Sequence, residues 1–147
     1  MMFSTAAPYI YYCCLILACG FALKRGTVAE YVGVAIMSLG SVASTFGSIA
    51  LEASWTGLGT ITFFIDMVVL VALLGLTLMT DRFWPIWMTA FHLAAIAVHG
   101  AKSVAPDIAP WALATGSAFW AYPMLAALVI GTYEHVQSLP KDPENSG

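Results

Sequence analysis

The chain has 147 residues, 61% of them hydrophobic and only 9% charged, with a formal net charge of −3. Soluble domains carry about 25% charged residues, so this composition excludes a fold that faces water on every side. No basic run marks a nucleic-acid groove or a polybasic lipid site, and no polar segment is long enough to fold as a second domain.

Apolar stretches of about 20 residues predict transmembrane helices, and the punctuation of the chain separates five of them. The first covers about 6–23 and stops at "KRG". It holds all three cysteines, Cys13, Cys14 and Cys19. Adjacent cysteines are poorly placed to bridge each other and no CxxC pair is present, so core-packing thiols are expected. "LILACG" resembles a lipoprotein cleavage box, but "MMFSTAAP" has no positive n-region, so a retained helix is expected rather than a cleaved signal.

The second span, about 28–50, contains "GSVASTFGS", whose serines and glycines dilute its hydrophobicity. A partly interfacial helix here would reduce the bundle to four spans. Gly40, Ser44 and Ser48 recur at four-residue spacing, with Ala43 and Gly47 alongside. Small residues on one face let helices approach closely in lipid, either within the chain or in a homo-oligomer or partner contact. The third span covers about 58–79 and stops at "TDR"; the fourth covers about 83–104 and stops at "PDIAP". The fifth covers about 110–133, with Pro123 expected to kink it, and a polar cytoplasmic tail follows over 134–147.

Lys and Arg accumulate in cytoplasmic loops. Five spans put Lys24, Arg25, Arg82 and Lys141 on one side against Lys102 on the other, which predicts an external N-terminus and a cytoplasmic tail. The aromatic girdles agree: Tyr9, Tyr11, Tyr12, Trp55 and Trp111 fall near the outer edge, and Tyr31, Trp84, Trp87 and Tyr133 near the inner one.

Three ionisable residues lie well inside the apolar spans: Asp66, His92 and His99. Such groups are costly in hydrocarbon and normally turn toward partners in the bundle interior. His92 and His99 share a helix face about 10 Å apart, and Gly59, Thr62 and Asp66 form a comparable face on the third span. The short turn at Asp81–Arg82 makes spans three and four antiparallel neighbours. Depths from the outer surface are then roughly 7 Å for His99, 12 Å for Asp66 and 18 Å for His92, so the acid falls between the imidazoles. Four readings follow: an interhelical hydrogen bond that fixes register, with Thr62 and a water; a proton relay or ion pathway; haem or metal ligation; and a lipid or quinone pocket that takes Trp120 and Tyr122.

Haem needs more than the fourth span supplies, because one helix cannot offer His92 and His99 to opposite faces of a porphyrin. His135 lies too far away in depth, and Met37, Met67 and Met124 are not distinguished from one another. A metal site of His92, His99 and Asp66 requires two imidazoles to lean together across about 10 Å of helix. "GLGTIT" is too short for a dinucleotide fingerprint, and His99 with Ser103 is only a fragment of a hydrolase triad.

"DRFWPIWMTAFHLAAIAVHGAK" and "AFWAYPMLAALVIGTYEH", with "RGTVAEYVG" and "FFIDMVVLVALL", resemble a family of small bacterial inner-membrane proteins without an established activity, over about residues 24–135. The resemblance implies a bacterial membrane location and a helical bundle, and transfers no catalytic residue or substrate. The expectation is an all-α integral membrane bundle of five helices. It is expected to act without catalysis, as an accessory component of a larger complex, with haem or metal binding and a proton pathway as the alternatives.

Overall fold

A computed structural model describes residues 3–52, 58–104 and 119–138; the side chains of 3–8, 48–52, 58–60, 99 and 101–104 lie outside that description. All regular structure among the described residues is helical. The helices are α1 (Phe3–Arg25), α2 (Val28–Glu52), α3 (Leu58–Met79), α4 (Trp84–Val104) and α5 (Ala121–Ser138).

Local chemistry accounts for the breaks between them. At the α1–α2 corner the chain turns so tightly that a Cβ on Gly26 would stand 2.5 Å from the Ala22 carbonyl oxygen and from the Glu30 Cβ. The Gly26 N–H closes α1 on that carbonyl at 2.7 Å. Thr27 then opens α2: its carbonyl accepts from the Tyr31 N–H, and Glu30 reaches back to the Thr27 N–H at 2.8 Å, as in a capping box. In α4, Pro85 occupies the first turn, where a missing N–H costs no helix bond. Pro123 does the same in α5. A turn at Trp120 separates helical Phe119 from that helix, and the proline sits in the first turn after the break. The helix then runs on to Ser138, through Glu134 and His135, where the polar tail was expected to begin. The expected residues 110–118 of span five lie outside the described residues.

Side-chain contacts give the direction of each helix. Tyr11 meets Ser41 and Cys19 meets Ser38, so α2 runs antiparallel to α1. Gly40 faces Val69 and Gly47 faces Ile65 and Ile61, which reverses α3 against α2. Thr77 pairs with Thr89 and Asp66 with His92 between α3 and α4; Phe91 pairs with Trp120, and Arg82 with His135, between α4 and α5. Finally, Tyr11 meets Tyr122, and one groove is lined by both Cys14 to Ala18 and Tyr122 to Ile130, so α5 returns parallel to α1. Each helix packs on its neighbours in the chain, and the α1–α5 pair closes the ring.

The buried stripes follow helical spacing: Leu15, Ala18 and Ala22 on α1, Val34 and Met37 on α2, Leu73 and Leu76 on α3, Trp84 and Met88 on α4, and Leu125 and Leu128 on α5. The outward faces are also apolar, with Ile16, Leu17, Leu39, Phe46, Phe64, Val68, Val71 and Leu78 exposed. Two stretches, Val28–Gly47 and Ile61–Met79, are long and apolar enough to cross a membrane, with mean hydropathy 1.3 and 2.5. The first is the span that serines and glycines diluted.

Candidate functional site

The up-and-down winding brings the ends of α1, α3 and α5 together with the starts of α2 and α4. Lys24, Arg25, Thr27, Glu30, Arg82, Trp84 and His135 therefore share one end of the bundle.

Glu30 is fully buried there. Its Oε2 accepts from the Thr27 N–H at 2.8 Å and from the Thr27 hydroxyl at 2.5 Å. Its Oε1 accepts from the Trp84 indole N–H at 3.1 Å, 54 residues further along the chain. All three bonds are accepted, which suits an ionised carboxylate. The position in the first turn of α2 also sets negative charge against the positive end of the helix dipole.

Trp84 reaches Glu30 through a slot made by two glycines. A Cβ on Gly131 of α5 would lie 2.1 Å from the indole Cδ1, and one on Gly33 of α2 would lie 2.6 Å from Cη2. Only hydrogen at both positions lets the ring pass between α2 and α5. Thr132, also fully buried, turns its hydroxyl back to the Leu128 carbonyl at 2.8 Å, so it adds no unmet donor beside the indole. No buried side-chain nitrogen or oxygen among the described residues lacks a hydrogen-bond partner.

Next to this knot, the Arg82 guanidinium donates to His135 Nδ1 at 2.9 Å. Because Nδ1 accepts, the ring proton of the neutral imidazole sits on Nε2.

The residues expected to form the polar cluster are partly brought together. His92 is buried and approaches Asp66, but its partner is the backbone: Nε2–H donates to the Asp66 carbonyl oxygen at 2.9 Å. The acid and this imidazole therefore meet at one level, without the carboxylate taking that bond. Thr62 and Asp66 are half-buried and both are engaged in interactions. The His99 side chain, and with it the expected set of His92, His99 and Asp66 as a metal site, lies outside the described residues. No group of three His, Cys, Asp or Glu side chains among the described residues is placed to hold a metal ion.

Trp120 stacks on Phe91 with ring centroids 6.0 Å apart, whereas Tyr122 meets Tyr11 edge to face at 6.1 Å and lines the α1–α5 groove. The two rings serve different seams of the bundle. On α2, Gly40 is packed against Val69: a Cβ there would stand 2.9 Å from the valine Cγ2. Ser44 is half-buried, and the Ser48 side chain lies outside the described residues.

Sequence reasoning passed over Glu30 and took Trp84 only as a girdle residue. The signal present was "TVAE", a Thr followed three residues later by Glu at the head of an apolar run. No family profile, curated protein or solved structure matches the chain.

Proposed function

We propose that this chain is a small integral membrane protein, a five-span bundle of the bacterial inner membrane that acts as an accessory, non-catalytic subunit of a larger assembly. The observation that carries the membrane reading is the exterior of α3. Its stretch Ile61–Met79 has mean hydropathy 2.5, yet only 11% of it is buried in the bundle. An apolar core helix of a water-soluble protein turns most of its surface inward, whereas this one offers Phe64, Val68, Val71 and Leu78 to its surroundings. Lipid is the solvent that this surface fits. Lys24, Arg25 and Arg82 at one end, against Lys102 near the far end of α4, support a cytoplasmic location for the Glu30 end. The bacterial origin rests on the family resemblance alone.

The accessory role is supported by the use to which the polar groups are put. Glu30, Trp84, Arg82 and His135 at one end, and Thr77, Thr89 and His92 along the α3–α4 seam, bond to one another or to the backbone, an arrangement suited to holding a shape. Carbonate washing of membranes, followed by extraction in mild detergent, tests both parts. The protein is expected to stay in the washed membrane and to migrate in a complex larger than the chain. Release by carbonate overturns the membrane reading; a lone monomer after mild extraction overturns the accessory one.

One observation favours a second reading, haem or metal binding. Metal-ligating histidines commonly donate their remote N–H to a backbone carbonyl, and His92 Nε2 does so. In the neutral ring this leaves the lone pair on Nδ1. Purified protein would then show a Soret band or stoichiometric metal that His92→Ala removes.

A further inference from the structure

Between α4 and α5 runs an open apolar groove of about 340 Å³. Phe83, Trp87 and Phe91 form one wall at four-residue spacing, and Pro123 and Ile130 stand on the other. Eight residues of helix give the aromatic wall a length of about 12 Å, close to the roughly 15 Å of hydrocarbon in one leaflet. Phe83 and Trp87 are both exposed, so the groove faces outward.

A cation stands next in the chain to the groove's first wall residue. Arg82 precedes Phe83, and its guanidinium spans to His135 on α5 at 2.9 Å. A neutral ring nitrogen accepts that bond, so it does not offset the positive charge. Among the described residues no carboxylate is hydrogen-bonded to Arg82. Lys24 and Arg25 add positive charge at the same end of the bundle, where the exposed carboxylates among the described residues are Asp81 and Glu134. An acyl-width apolar channel beside a half-buried guanidinium that no carboxylate bonds among the described residues fits an amphiphile with an anionic head.

We propose that this groove seats one acyl chain of an anionic phospholipid, with the lipid phosphate bound by the Arg82 guanidinium. A planar guanidinium suits a phosphate because it can donate two parallel hydrogen bonds. The site rests on the membrane reading above, and its test separates the two.

The full chain is reconstituted in bilayers containing phosphatidylglycerol or phosphatidylcholine, either one brominated in the upper half of an acyl chain. Fluorescence quenching of Trp87 is read as the difference between the native chain and Trp87→Phe. The expected result is an apparent affinity about fivefold higher for the anionic lipid, the preference that one interfacial arginine confers. Arg82→Gln should abolish that preference, while Arg82→Lys should retain part of it. His135→Ala, which removes the protein acceptor and leaves the cation, should keep it and so controls for damage to the corner. Equal quenching by the two lipids, or a preference that survives Arg82→Gln, overturns the site while leaving the membrane reading intact. Loss of preference in His135→Ala also overturns it. Reconstituted protein whose Trp87 neither lipid quenches has its groove closed to lipid by a partner helix or a second copy, which overturns the site. Failure of the chain to enter either bilayer overturns the membrane reading itself.

Discussion

The Glu30–Trp84 knot and the α3–α4 seam both keep polar groups away from solvent, but they manage burial in opposite ways. Along the seam three threonines bond back to a carbonyl one turn earlier: Thr77 donates to Leu73, Thr80 to Leu76 and Thr89 to Pro85. The Thr77 and Thr89 hydroxyls also lie 3.1 Å apart, and since each has one proton, a bond between them is an alternative to one of the carbonyl bonds. In the knot no such reserve exists. Glu30 has no solvent-exposed surface, and its Oε1 relies on a donor from another helix, which arrives only because two glycines admit it. A seam built from self-satisfied groups tolerates loss, whereas a knot of mutually dependent groups does not. The bundle should therefore be fragile at the Glu30 end and forgiving in the seam.

Four substitutions test that contrast by thermal unfolding in detergent, followed by circular dichroism. Trp84→Ala should have the largest effect, about 4 kcal/mol, since it empties the slot between Gly33 and Gly131 and leaves Glu30 one donor short. Gly131→Ala should cost about 3 kcal/mol, because its methyl would meet the indole at 2.1 Å and neither α4 nor α5 can withdraw without opening the core. Glu30→Gln should cost about 2 kcal/mol, as one amide oxygen cannot accept from both Thr27 and Trp84. Smallest of all, Thr89→Val should cost no more than about 0.5 kcal/mol, since Thr77 keeps its Leu73 bond. If Thr89→Val proves as damaging as Glu30→Gln, the distinction between knot and seam is lost.

Much of the helical layout was legible from apolar run length and from the charged or turn-forming residues between runs. "KRG" and "TDR" mark corners because Lys, Arg and Asp resist hydrocarbon and Gly26 admits a close turn. The depth count brought Asp66 and His92 near each other but could not say which atoms would meet. A 1.5 Å rise sets height, whereas the choice between carboxylate and carbonyl depends on helix rotation and side-chain torsion. Glu30 was missed for a related reason. Counted along the chain it stands at the end of a span, where water is expected; its burial depends on Trp84 and Gly131, both far away in sequence. Pro123, expected to kink the fifth span, stands in the first turn of α5 just after the turn at Trp120.

The parallel contact between α1 and α5 has a consequence for synthesis. Leu15 and Ala18 on the first helix pack in part against the last one, and 95 residues separate Arg25 from Ala121. At ribosomal speeds of about 5–20 residues per second, that stripe waits on the order of 5–20 s for its partner to emerge. For that interval the nascent chain is an unclosed arc, and whatever shelters its open flank acts before the bundle exists.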